Sequence, residues 1–167
     1  IDYRVVGGFS FYARAEVKDV LAYARLANNR RDSAALLRIA NVPPRGIGET
    51  TLGALEASAR RGKLSLWEAL EQELAAKLLP ARALKALESF HGLMQELLAD
   101  RERLSTSDFF RSILERTGYV VLLRAENLPE SESRIENLQE LVSAAAEAEE
   151  RGETLAEFLD HAALVSD

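Results

Sequence analysis

Residues 45–52, Arg45-Gly46-Ile47-Gly48-Glu49-Thr50-Thr51-Leu52, carry the clearest chemical pattern in the chain. They follow Pro43-Pro44, which a helix cannot cross, and open into a helix-forming run. Two glycines around one apolar residue predict a tight turn whose backbone can come close to whatever it faces. Ile47 is expected to point into the core and pin that turn. The amides of Gly48, Glu49 and Thr50 are then expected at a helix start, where unpaired N–H groups and the positive end of the macrodipole favour an anion. A phosphate is the matching ligand. Taken alone, the turn leaves two readings open, a structural connector and a phosphate site.

Other chemistry-bearing residues form weaker patterns. There is no Gly-x-x-x-x-Gly-Lys-Ser/Thr sequence and no acidic pair in a strand-like run, so this stretch of chain is not expected to hydrolyse ATP or to hold a cofactor or metal of its own. His91 and His161 stand alone on helix-like segments, without a Ser, Cys or ligand partner at useful spacing, and are read as surface or packing residues. Glu147, Glu149, Glu150 and Glu153 gather at a helix end without the loop that a cation cage needs, which reads as a solvated tip. Phe9, Phe11, Tyr12 and Trp67 could stack on bases. Trp67 follows a capping signal and precedes Ala69-Leu70, so core placement is the expectation for it.

The elements that must position the turn are helical. Ala, Leu, Glu and Arg dominate the 167 residues, Val and Thr are sparse, and the length suffices for one domain with a real core. There is no cysteine, hence no disulfide or thiolate metal site, which suits a reducing cytoplasm. No apolar run reaches membrane-spanning length. The net charge of −6 is unevenly spread. Residues 1–63 hold 11 Lys/Arg and 6 Asp/Glu, a net of +5, and residues 64–167 hold 10 and 21, a net of −11. The Gly-Ile-Gly turn lies in the basic part, as a surface that meets phosphate requires.

In chain order, Tyr3 to Gly8 reads as a short strand. A helix is expected from Ala15 to Asn28 with Val17, Val20, Leu21 and Ala24 inward and Glu16, Lys18, Asp19 and Arg25 on the wet side. Asp32 should cap a brief helix to about Ala40 with Leu36, Leu37 and Ile39 inward. The helix after the turn should run from about Thr50 to Arg61 with Gly62 as its stop. Ser65-x-x-Glu68 and Thr154-x-x-Glu157 are capping boxes. Between them, helices are expected from Ser65 to about Leu78, Pro80 to about Arg103, Ser105 to near Gly118, Tyr119 to Arg124, and Glu132 to Arg151. The last helix should reach Val165. The expected fold is all-α, a compact bundle of short, orthogonally packed helices with a short strand at its start.

The turn resembles the hairpin of helix-hairpin-helix DNA-binding motifs, with Thr51 three residues after the second glycine. Two further stretches agree with it. Tyr3-Arg4-Val5-Val6-Gly7-Gly8-x-x-Phe11-x-x-Arg14-x-Glu16-Val17-Lys18-Asp19 is similar to the segment leading into the 2B subdomain of superfamily 1 DNA helicases of the UvrD, PcrA and Rep kind. Asn41-Val42-Pro43-Pro44-Arg45-Gly46-Ile47-Gly48-x-x-Thr51-Leu52 resembles their 2B hairpin, and Ser133-Arg134-Ile135-Glu136-Asn137-Leu138-x-Glu140-Leu141 their later 2B helix. The departures are small: Asp2 replaces a usual Pro, and Tyr12 a frequent Phe.

The resemblance implies that residues 1–167 are a single 2B-like insertion, with 1–13 and 160–167 as junctions to a second motor subdomain, 2A. It implies a cytoplasmic, nucleoid-associated bacterial parent that unwinds DNA 3′ to 5′ with ATP and Mg held in its motor domains. Expected partners are duplex DNA at a single-strand/double-strand junction, the 2A and other subdomains of the helicase, and repair proteins, with no membrane. The expected contacts are the amides of Gly46, Gly48 and Glu49 around Ile47, the hydroxyls of Thr50 and Thr51, and the Arg45 guanidinium, all on phosphates of one strand, with Arg31 and Lys63 as weaker contributors. Phe9, Phe11 and Tyr12 are placed at the hinge, and Arg134 with Glu136 as a structural or interdomain pair. A module that docks proteins or subdomains with little DNA binding, and the equivalent insertion of a helicase-nuclease, remain as alternatives.

Overall fold

A computed structural model describes residues 9–166, and the strand expected over residues 3–8 lies outside them. Ten helices follow in order: α1 (Phe9–Tyr12), α2 (Ala15–Asn28), α3 (Ser33–Ile39), α4 (Glu49–Gly62), α5 (Leu66–Ala76), α6 (Ala81–Arg103), α7 (Thr106–Thr117), α8 (Tyr119–Glu126), α9 (Ser131–Glu150) and α10 (Leu155–Ser166). No strand occurs among the described residues, and the fold is all-α.

Capping chemistry sets most boundaries. Asp32 accepts the Ala35 amide at 3.0 Å and starts α3. Ser65 and Glu68 exchange bonds with each other's backbone amides at the head of α5, and Thr154 and Glu157 do the same at α10. Gly118, at φ +69, closes α7. Several stops differ from expectation: α5 ends at Ala76, with Lys77 left-handed at φ 57, short of Leu78, and α8 runs past Arg124 to Glu126. At α4 the shift is a single residue. Gly62 is the last residue of α4, and Lys63 takes the left-handed conformation at φ 54, so the turn falls one residue later.

α2 is the central element. It packs against α3, α6, α7 and α9 and is buried over most of its circumference. Val17, Val20, Leu21, Tyr23, Ala24 and Leu26 are fully enclosed. This overturns the expected wet side, because Glu16 and Asp19 are also buried. A buried carboxylate needs compensating donors, and both have them. Glu16 accepts from Arg134 Nε at 3.1 Å and Asn137 Nδ2 at 2.7 Å. Asp19 accepts from Arg38 Nε at 2.8 Å and the Tyr119 hydroxyl at 2.6 Å. Burial and the adjoining Asp19 carboxylate push the Tyr119 hydroxyl well above its ordinary range, so it stays a donor.

Arg134 therefore does not pair with Glu136, which is exposed; it bridges Glu16 and, at 3.7 Å, Glu126. Phe11 and Tyr12 pack edge to face at 5.0 Å inside the core, where α1 meets α10 and α2. Leu37, expected inward, is 37% exposed, because seven residues of α3 present only Ala35, Leu36 and Ile39 to the interior.

A further buried carboxylate joins α6 to α7. Asp100, 1% exposed, accepts from Arg116 Nε at 2.6 Å, Arg103 at 2.7 Å and the Ser112 hydroxyl. The Arg116 bond, with help from Ser112 and Arg103, holds its pKa down to about 2 against the opposing effect of burial. Glu149 of the acidic tip accepts the Ser107 amide in the first turn of α7, so it acts as a helix cap. Trp67 is buried, as expected, and stacks on the His91 ring at 4.9 Å.

Candidate nucleic-acid interface

The segment from α3 to α4 folds as a hairpin braced from beneath. The Asn41 side-chain Oδ1 accepts the Arg45 amide at 2.7 Å and the Ile47 amide at 3.1 Å, which draws residues 41–47 into a closed loop. Ile47 is 1% exposed and fastens the loop to the core. Gly46 has φ +88, a conformation that L side chains rarely adopt.

The Arg45 guanidinium lies inside this brace. Its NH1 donates to the Ile39 and Ala40 carbonyls at 2.7 and 2.8 Å, and its NH2 to the Tyr23 hydroxyl. It also lies over the Phe90 ring at 5.3 Å and the Tyr23 ring at 5.9 Å. The Tyr23 hydroxyl in turn donates to the Val42 carbonyl. Arg45 therefore ties the end of α3 and the start of the loop to α2 and α6, in place of the outward phosphate contact expected of it. The carbonyls left at the C-terminal end of α3 attract a cation and turn the side chain inward. Tyr23 and Phe90 were not singled out for the hairpin in the sequence, and Asn41 entered only as the first residue of the resembling stretch, with no role assigned. The signal for Asn41 was its place four residues before Arg45 in a turn-rich stretch.

The outer surface of the hairpin consists of Gly46, Gly48, Glu49 and Thr50, all exposed, with Thr51 half-buried behind them. Gly48 is the N-cap of α4 at φ −92 and ψ −174, an ordinary extended conformation, and supplies no side-chain cap. The first intrahelical bond is Leu52 N to Gly48 O at 3.0 Å, so the amides of Glu49, Thr50 and Thr51 have no acceptor among the described residues. A Cβ built on Gly48 would meet nothing within 4 Å. The two glycines thus differ: Gly46 is demanded by the backbone, whereas nothing inside the domain demands Gly48. Beside the hairpin, Pro43 and Pro44 border an open groove whose lining includes both Glu88 and Glu96 and both Arg45 and Arg116, so its charges balance.

The structure separates Arg31 and Lys63 from the hairpin. Lys63 ends α4, about 20 Å from Gly48 at 1.5 Å per residue. Arg31 precedes α3 and reaches Glu68 at the head of α5, 3.5 Å away. Among the described residues no cluster of His, Asp or Glu could hold a metal, and no helix is long and apolar enough to cross a membrane.

All 167 residues match the model of the UvrD-like helicase C-terminal domain. The chain belongs to that family. It is 38% identical over 169 residues to the ATP-dependent DNA helicase PcrA of Bacillus subtilis, an alignment that covers the whole chain and 23% of the relative. It is 40% identical to the DNA helicase II of Haemophilus influenzae and 37% identical to that of Escherichia coli, covering 98% and 97% of the chain and again 23% of each relative. The chain thus spans about a quarter of the length of these relatives.

The stretches that carried the resemblance meet in the folded domain. Arg14 donates to Asn137 at 3.2 Å, Asn137 donates to Glu16, and Arg134 closes the set, so the leading segment and the later helix lock together. Much of the similarity in these two stretches thus serves the fold. The outer surface of the hairpin is the part of the pattern left without an internal partner.

Proposed function

We propose that this chain is the 2B-like subdomain of an ATP-dependent 3′–5′ DNA helicase of DNA repair or replication and holds duplex DNA through the phosphate backbone at its Gly-Ile-Gly hairpin. The observation that carries the reading is the contrast at the hairpin: an exposed glycine that the fold does not require, in front of helix-start amides without an internal acceptor. Glu49, Thr50 and Thr51 supply amides, Thr50 adds an exposed hydroxyl, and Gly48 lets a phosphate oxygen approach them. Arg45 holds the loop in shape from within. Contacts of this kind fix position and carry no sequence information.

The relatives are DNA helicases by name, that of Bacillus subtilis an ATP-dependent one, and the parent of this chain would bind ATP and Mg in motor domains outside residues 1–167. The packing of α1 on α10 brings the two ends of the described chain to one place, which suits an insertion hinged on a 2A subdomain. The swivelling of such an insertion would let the duplex be gripped in one orientation and released in another. Its setting would be the bacterial cytoplasm.

Titration of labelled duplex at several salt concentrations tests the reading. Two to four phosphate contacts give a log K against log salt slope of about −2 to −4, equal for unrelated sequences. Gly48→Asp is the decisive variant. Its carboxylate would cap α4 and occupy the same amides, leaving stability unchanged or up by a few tenths of a kcal/mol while binding falls. Binding unchanged in Gly48→Asp and Gly48→Val removes the hairpin as the site.

A further inference from the structure

We propose that Arg30, Arg31, Arg60, Arg61 and Lys63 form a second phosphate-binding surface, which takes the backbone of the same duplex about 20 Å along α4 from the hairpin. The proposal rests on the hairpin reading above and extends it from a one-point to a two-point hold.

The residues come from two turns that the fold fastens together. Ser33, at the start of α3, accepts the Leu66 amide at the start of α5 at 3.2 Å, which sets the α2–α3 turn beside the α4–α5 turn. Arg30 and Arg31 lie in the first turn, and Arg60, Arg61 and Lys63 lead into the second. All five are exposed.

Their charges are largely uncompensated. The side chains of Arg30, Arg60, Arg61 and Lys63 have no hydrogen-bond or ion-pair partner among the described residues. Arg31 reaches Glu68 at 3.5 Å, an open pair with the arginine 72% exposed, which leaves the cation available. The acids nearby are already engaged or set back. Asp32 caps α3, Glu68 caps α5, and Glu56 is half-buried one turn before Arg60. One cation near the end of α4 would complement its dipole, but five within two adjoining turns repel one another in a domain of net charge −6.

The surface between the two sites is low. Thr50, Gly53, Ala57 and Arg60 follow one another at three- or four-residue spacing and so share one side of α4. Gly53 is exposed, and a Cβ placed on it would have nothing within 4 Å, so the surface is low at that point, with Glu49 and the half-buried Glu56 flanking it at four- and three-residue spacing. A phosphate backbone supplies regularly repeated anions over such a distance. At 3.4 Å per nucleotide, 20 Å corresponds to about six base pairs.

The test uses the 167-residue chain, fluorescence anisotropy and duplexes closed by a loop, with stems of about 5 and about 20 base pairs, between about 50 and about 200 mM salt. The variants are Arg60→Gln/Arg61→Gln/Lys63→Gln and Gly48→Asp, each with its thermal melt recorded. On the long stem the triple variant is expected to bind about tenfold more weakly at low salt, with a slope shallower by about 2 to 3. On the short stem, which cannot reach both points, the triple variant and the parent chain should differ much less. If the triple variant keeps parental affinity and slope on the long stem while Gly48→Asp weakens binding, the second surface is overturned and the hairpin stands. If the triple variant weakens binding and Gly48→Asp does not, the cations bind phosphate alone and the hairpin reading fails. A parent chain that binds neither stem overturns both.

Discussion

The hairpin end of the domain and the interior around α2 use the same residue types in opposite ways. Around α2, every buried charge has found its complement: Glu16 has Arg134 and Asn137, and Asp19 has Arg38 and Tyr119. At the outer hairpin, amides and hydroxyls stand at the surface without an internal partner beside the exposed Glu49, while the one cationic side chain that the motif offers, Arg45, has been drawn inside. The difference separates two kinds of motif residue. Those with internal partners carry the fold, and those without are available to a ligand.

Breaking the interior should have the largest effect. Asp19→Ala leaves Arg38 and the buried Tyr119 hydroxyl without their acceptor, and a loss of about 3 kcal/mol is expected in urea unfolding. A loss below about 0.5 kcal/mol would mean that the pair is not part of the interior lock.

Acid should probe the buried carboxylate between α6 and α7. Asp100 is held near pKa 2 in the folded domain and rises to about 3.9 on unfolding. Its contribution is present above about pH 4 and is lost as the pH falls through about 2, an effect of about 2 kcal/mol. Unfolding followed from pH 5 to pH 2 should show this dependence, and Asp100→Asn should flatten it.

Arg45 sits at the border between the two regions. Arg45→Met removes three hydrogen bonds and is expected to cost about 2 kcal/mol, read from the melting temperature. An arginine that only met phosphate would change stability by less than about 0.5 kcal/mol. The smallest effects belong to the glycines. Gly46→Ala, forced to φ +88, should cost about 1 kcal/mol in urea unfolding, whereas Gly48→Asp should cost nothing.

Most of the helices could be read from local signals. Capping residues, helix-stopping glycines and the prolines act within a few residues, so Ala15–Asn28, the two capping boxes and the stop before Gly118 follow from short windows of sequence. The end of α4 drifted by a residue where Gly62 and Lys63 competed for the left-handed position, and α5 stopped early at Ala76 where Lys77 takes it. Periodicity misread Glu16 and Asp19 because it assumes that charge means solvent, and their complements lie far along the chain, at 134, 137 and 119.

The sequence by itself determined the helical class, the tight turn with Ile47 beneath it and the likeness to a helicase family, because these depend on backbone geometry and on residue order. Only the tertiary structure decided which motif residues face outward. Arg45 could reach outward or back to the carbonyls of Ile39 and Ala40, and the choice depended on where Tyr23 and Phe90 stood beneath it. Arg31 and Lys63, grouped with the hairpin by sequence, were carried by the rigid length of α4 and the Ser33–Leu66 bond to a surface of their own.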